Sequence, residues 1–465
     1  MKIHFWGAAQ TVTGSAHYIE VNGQNILLDC GLFQGKRKKS RKINREFRIP
    51  PKKIDSVVVS HAHIDHIGNL PNLVKQGYEG PIYAQKATAD LTDLMLRDSA
   101  HIQESDAEYI NKKRIKRGEE PVIPLYTTAD ARAACELLVE KDYQQSFEVC
   151  PGVIATFVEA GHILGSTAII LDIEEKGHRH RLWFSGDIGR FDLPILRDPV
   201  LPQDQNVDYL IMECTYGDRP HKSPEEAQDE LRSIIQKTLN RGGKVIIPAF
   251  AVGRTQEMVY SLHRFLDAGD IPKVPVFVDS PLAVNVSDVF RRHHECFDKE
   301  AIAMLENDGA ALGFDMLTYI RSVEDSKALN ERTDPMVIIS ASGMMEAGRI
   351  LHHLRHNIHN PKNSLLIVSW MAPHTLGRRF VEEKKQVKIY GEVYDVRMEV
   401  HNIHGFSAHA GQKGLMEYAL AVKDQAKEVF LVHGEQSGAD GLRQALREHG
   451  MDGLHFPARG DEFET

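Results

Sequence analysis

Residues 61–66 read His61-Ala62-His63-Ile64-Asp65-His66, and they follow directly on the apolar stretch Val57-Val58-Val59-Ser60. A β-branched run of this kind predicts a strand buried on both faces, which places it inside a helix-covered sheet. The C-terminal end of such a strand is where open α/β sheets place their chemistry. While the chain stays extended, His61 and His63 point to the same side. Asp65 and His66 face another way as the chain turns into a helix. Three imidazoles and a carboxylate so close together are metal ligands by type, since imidazole suits zinc and carboxylate suits harder cations. One ion would use the first pair, and a second, a few ångströms away, would use the other.

The chain has 465 residues, room for two domains or one large one, and at 42% hydrophobic it can build a sizeable core. No apolar run approaches the roughly 20 residues that span a bilayer. Met1-Lys2-Ile3-His4-Phe5-Trp6-Gly7 begins as a strand and lacks a signal-peptide pattern. Cys30, Cys135, Cys150, Cys214 and Cys296 are scattered and never in Cys-x-x-Cys spacing, so a disulfide framework is not expected and a cytoplasmic location is. The net charge of −9 argues against general polyanion binding. Two basic stretches run against that average, at 36–48 and 111–117. Either could track a phosphate backbone. The first follows Asp29 closely and is expected near the metal mouth.

Along the chain, Val21-Asn22-Gly23-Gln24 predicts a hairpin. Helices are expected at 67–76 and 87–117, and strands near 81–85, 153–159, 166–173, 180–185 and 207–213. The texture then changes to regular β–α alternation, with apolar strands at 244–250, 276–280, 337–340 and 365–369. That spacing suits a parallel sheet with helices on both faces. Strand 429–433 and its flanking helices resume the first style.

The motif His-x-His-x-Asp-His resembles the signature of the metallo-β-lactamase superfamily. Asp29 in Leu28-Asp29-Cys30-Gly31, His162 in Gly161-His162-Ile163 and Asp187 in Gly186-Asp187-Ile188 match the further superfamily positions. The alternating segment, placed inside that frame, resembles the insert of the β-CASP nucleases. Glu213, His409 in Phe406-Ser407-Ala408-His409 and His433 in Val432-His433-Gly434-Glu435 match that family's motifs A, B and C. The likeness covers essentially the whole chain and is nearest to the branch holding the pre-mRNA 3′-end cleavage endonuclease and its prokaryotic relatives. It implies an α/β fold: a metallo-β-lactamase αββα sandwich at 1–210 and 385–465, with a β-CASP parallel α/β domain inserted at 211–384.

The resemblance also implies the chemistry. His61, His63 and His162 would hold one Zn²⁺ and Asp65, His66 and His433 a second, with Asp187 bridging. Asp29 and Glu213 would fix the direction of ligand rings, and His409 would be the general acid, oriented by Glu213. Arg254, Ser280 and Ser342 each follow a strand end near a helix start, where backbone N–H groups favour phosphates, and are expected to touch substrate. The implied activity is zinc-dependent endonucleolytic hydrolysis of single-stranded RNA, held between the two domains. The alternatives on the same site are 5′-3′ exoribonuclease, DNA nuclease, or a catalytically weak RNA-binding scaffold. A small-ester hydrolase would not need the insert. No membrane partner is expected, and a homodimer is compatible with such a chain.

Overall fold

The computed structural model describes residues 1–35, 37–308, 312–372 and 374–465. The chain forms two compact units. One comprises Met1–Phe191, Asp198–Pro220 and Ala408–Thr465, the other Asp192–Arg197 and His221–Ser407.

The first unit is built on two seven-stranded sheets. One runs Glu462–Glu464, Lys2–Gly7, Ala16–Val21, Gln24–Leu28, Ser56–Val58, Ile82–Gln85, Leu138–Lys141 from edge to edge. The expected hairpin joins the antiparallel pair Ala16–Val21 and Gln24–Leu28. Asn22 and Gly23 at its tip have φ of 51° and 75°, the signs a tight two-residue turn demands. Ser56–Val58 lies parallel between Gln24–Leu28 and Ile82–Gln85, and Val57, Val58 and Val59 are fully buried. The second sheet runs Leu454–His455, Glu428–Val432, Tyr209–Glu213, His178–Phe184, Thr167–Glu175, Val153–Glu159, Ser146–Cys150.

The two sheets face each other across one core. Ile3, Phe5, Ile26 and Leu28 of the first meet Phe157, Ile169, Leu182 and Phe430 of the second. Helices cover the outer faces. Leu415, Tyr418, Leu442 and Leu446 pack on Ile170, Trp183, Leu210 and Met212, and the Trp183 indole N–H donates to the Tyr418 hydroxyl at 2.7 Å. The long helix Lys86–Ile115 covers Ile82–Gln85 and Leu138–Lys141. This is the αββα sandwich that the metal motif implied. The helix expected at 67–76 is instead two short ones, Ile64–Ile67 and Leu70–Lys75, parted at Gly68-Asn69.

The second unit holds a six-stranded, all-parallel sheet ordered Leu317–Tyr319, Val276–Val278, Val337–Ser340, Val245–Pro248, Ser364–Ile367, Glu399–Asn402. Its boundaries differ from 211–384. Tyr209–Glu213 pairs with His178–Phe184 in the sandwich, whereas Glu399–Asn402 adds to Ser364–Ile367 in this sheet. Among the described residues, no helix is long and apolar enough to cross a membrane.

Candidate metal centre

The ligand motif begins three residues after strand Ser56–Val58 ends and enters the short helix Ile64–Ile67 at His63. Gly161 and Gly186, with φ of 65° and 56°, immediately precede His162 and Asp187 and turn the chain so that both side chains reach the centre. A Cβ on Gly186 would lie 2.7 Å from the Cβ of Ser60, so the strand ends also need a glycine to come this close. Asp29 and His433, at two further strand ends, take up left-handed backbone conformations with φ of 58° and 47°. For residues other than glycine this costs on the order of 1 kcal/mol each.

The side chains form two facing groups. In the first, His63 Nδ1 lies 3.1 Å from His61 Nε2 and 3.2 Å from His162 Nε2. Asp187 Oδ2 is 3.4 Å from His61 Nε2 and 3.5 Å from His162 Nε2. Four donors bound tetrahedrally at about 2.1 Å would be about 3.4 Å apart, close to this spacing. In the second group, His433 Nε2 lies 3.4 Å from Asp65 Oδ2, and His66 Nε2 lies 3.3 Å from Asp187 Oδ1. The two oxygens of Asp187 therefore face different groups. His66 Nε2 and Asp187 Oδ1 are buried and make no hydrogen bond, an unmet demand that a cation would satisfy. Asp29 and Glu213 belong to neither group.

The electrostatics point the same way. Burial drives His61 and His162 well below the ordinary imidazole range and His63 down to about 4, so these rings are neutral and can donate lone pairs. Burial also opposes charge on Asp187, but the surrounding imidazoles, His433 and His66 foremost, outweigh it and hold the carboxyl well below its usual range.

Asp29 saturates its carboxylate. Oδ1 accepts from the Ser60 amide at 2.8 Å, and Oδ2 accepts from the hydroxyls of Ser60 and Ser15 and lies 2.6 Å from His66 Nδ1. That contact sets the His66 tautomer and turns Nε2 towards Asp187. Glu213, fully buried, accepts from the Ile188 amide at 2.7 Å and holds His409 Nδ1 at 2.9 Å. Burial works against a charge on His409, but Glu213 and Asp187 raise it to about 9. His409 lies within reach of Asp187 and His433 as a third potential ligand group, and its short contact with Glu213 instead favours a proton-carrying role.

Two hydroxyls escaped the sequence reading. Ser60 Oγ sits 3.1 Å from His61 Nδ1 and 3.3 Å from His66 Nδ1. Thr215 Oγ1 donates to the His433 carbonyl at 2.8 Å and lies 3.2 Å from its Nδ1. Their position beside the motif and beside Glu213 was the only available signal.

The three expected substrate contacts lie in the second unit and are engaged within it. Arg254 pairs with Glu257 and is 8% exposed. The Ser280 hydroxyl caps helix Pro281–Phe290, accepting from the Ala283 amide. The Ser342 hydroxyl accepts from the amides of Glu346 and Ala347. Of the first basic stretch, Lys36 and the side chains of Arg37 and Lys38 lie outside the described residues. The remainder joins the strand-end loops near Asp29, with Asn44 bonded to Phe33 and its carbonyl taking the amides of Asn69 and Asn72.

Comparison with known proteins decides the kinship. Residues 10–142 match the metallo-β-lactamase superfamily, 255–380 the Beta-Casp domain and 393–456 the Zn-dependent metallo-hydrolase RNA specificity domain. The chain is 35% identical to ribonuclease TTHA0252 of Thermus thermophilus, over 97% of either chain. The chain belongs to the β-CASP family of RNA nucleases. It is accordingly a metal-dependent hydrolase of the metallo-β-lactamase superfamily. Within the β-CASP family it is also 30% identical to the transcription termination factor FttA of Methanocaldococcus jannaschii, over 96% of this chain and 70% of that one. A solved structure of a protein of unknown function from Enterococcus faecalis V583 shares the fold, at a TM-score of 0.53, 12% identity and 99% coverage of both chains.

Proposed function

We propose that this protein is a zinc-dependent endoribonuclease that hydrolyses phosphodiester bonds of single-stranded RNA at a two-metal centre. The observation that carries the reading is Asp187, whose two oxygens face two separate donor groups within 3.5 Å. His61, His63 and His162 would hold one ion, Asp65, His66 and His433 the other, and Asp187 both. Such a pair, when bound, neutralises the phosphate oxygens and activates water for in-line displacement.

The chain's own groups do the rest. Asp29 and Ser60 hold His66 and His61 in the tautomers that leave their Nε2 atoms facing Asp187. Glu213 fixes His409 through Nδ1, so Nε2 is the nitrogen that hands a proton to the leaving oxygen as the P–O bond breaks. Water supplies the oxygen that replaces it on phosphorus.

The test is metal-quantified protein with single-stranded RNA blocked at its 5′ end. Internal cuts are expected, abolished by a chelator or by Asp65→Ala and restored by zinc. Cutting that needs a free 5′ end would make the enzyme an exonuclease, and one bound metal per fully active chain would sink the two-metal centre. His409→Ala should retain both metals and lose cleavage by on the order of 100- to 10,000-fold. Wild-type rates in that variant would remove His409 from the mechanism.

A further inference from the structure

In the parallel sheet of the second unit, the chain leaves Val245–Pro248 for Val276–Val278 on one side. It leaves the adjacent strand Ser364–Ile367 for Glu399–Asn402 on the other side. With right-handed crossovers, the two connections fall on opposite faces of the sheet. Loops that part in this way open a crevice at the carboxyl ends of the strands, where doubly wound sheets bind ligands.

Each of these two loops carries an exposed aromatic side chain. Phe250 is 41% exposed and Trp370 is 56% exposed, and among the described residues they are the two exposed Phe or Trp side chains. Both loops are anchored by neighbouring backbone. The Phe250 carbonyl accepts from both the amide and the hydroxyl of Thr255, and a Cβ on Gly343 would lie 3.1 Å from the Phe250 ring. The ring therefore lies close against the Gly343 backbone. Beside Trp370, Met371 is buried against Gly377, whose amide donates to Met344 in the Gly343 loop. The Trp370 segment is itself basic, although the Glu346 carboxylate of the neighbouring loop accepts from its Leu376 amide and Glu382 pairs with Arg378. Segment 369–379 carries His374, Arg378 and Arg379 and no carboxylate, with His374 and Arg379 exposed. Rigid aromatic faces among cations are the two components that hold single-stranded nucleic acid, because every base has a π face and every linkage a charge.

We propose that Phe250 and Trp370 form a stacking platform for the bases of single-stranded RNA at the switch point of the parallel sheet. This rests on the functional reading above and adds to it the residues that grip the strand. The platform is indifferent to base identity and contributes binding, not bond cleavage.

The experiment measures binding of metal-loaded, full-length protein to a cleavage-resistant phosphorothioate oligouridylate and to an abasic chain of equal length. Phe250→Ala and Trp370→Ala should each weaken oligouridylate binding about 5- to 150-fold. Both should leave abasic binding, metal content and thermal unfolding unchanged, while Phe250→Tyr and Trp370→Phe keep wild-type affinity. Equal affinity of the wild type for the two chains, or wild-type affinity in both alanine variants, overturns the platform alone. If the wild type binds neither chain and cuts no RNA, the functional reading falls and the platform with it.

Discussion

Two buried aspartates, each placed past the end of a strand and each facing histidine, keep different company. Asp279, after Val276–Val278, is closed. His353 Nε2 lies 2.7 Å from Oδ2, the Ser326 hydroxyl donates to the same oxygen at 2.6 Å, and Arg349 donates to Oδ1 at 2.6 Å. Asp187, after His178–Phe184, has four imidazole nitrogens at 3.3–3.5 Å and an Oδ1 that makes no hydrogen bond. Proton-bearing partners sit at hydrogen-bond distance, whereas ligands meant to share an ion stand one polyhedron edge apart. The first arrangement ties loops together, and the second has a gap that a cation would fill.

The sharpest way to break this contrast is Asp187→Asn. Metal content should fall and cleavage should drop by on the order of 1,000-fold or more. Retained activity would deny Asp187 its bridging place. Asp279→Asn should do the reverse: metal content holds, and denaturant unfolding reports a loss of about 3 kcal/mol, because Arg349 is left half-buried without its carboxylate. A variant as stable as wild type but inactive would make Asp279 a functional residue after all.

A smaller effect is expected for Ser60→Ala, which removes a hydroxyl shared by Asp29, His61 and His66. Zinc affinity measured by competitive chelation should fall about 10- to 100-fold. An unchanged affinity would leave Ser60 a bystander. The smallest effect is in pH. Burial opposes the Asp279 charge, but its bonds to His353, Ser326 and Arg349 win and lower its pKa. A lowered folded-state pKa contributes stability that is fully present above the unfolded value of about 3.9 and is lost as pH falls through the folded value. The stability gap between wild type and Asp279→Asn should therefore narrow on acidification below about pH 4. A gap that widened there would reverse the assigned sign.

The sandwich and the clustering of the candidate ligands were legible because these residues arrive with their own local grammar. His61, His63, Asp65 and His66 are contiguous, and His162 and Asp187 each follow a glycine at a strand end. Groups that act across the fold had no such grammar. Thr215 meets His433 across 218 positions, and Ser60 acquires its role only when Asp29, from another strand, comes within 2.9 Å. Asp279 went unnoticed beside Ser280 because its three partners come from residues 47 to 74 positions away. The strand-end rule placed Ser280 and Ser342 just past strand ends, yet helix Ile350–Asn357 begins only eight residues after Ser342, and the rule could not tell that both hydroxyls are occupied by nearby amides. The sandwich's hold on Tyr209–Glu213, and the parallel sheet's on Glu399–Asn402, depend on pairing partners far along the chain, which apolar texture does not reveal.

The distance along the chain between the halves of the centre has a consequence for synthesis. His433 follows Asp65 by 368 residues. At ribosomal speeds of about 5–20 residues per second, roughly 20 to 70 seconds separate the emergence of the two. During that interval the nascent polypeptide lies beside its own messenger, bearing most of the proposed ligands but neither His409 nor His433. On the roles proposed for His409 and His433, a chain of this order cannot cut the transcript that encodes it until translation has nearly run its course.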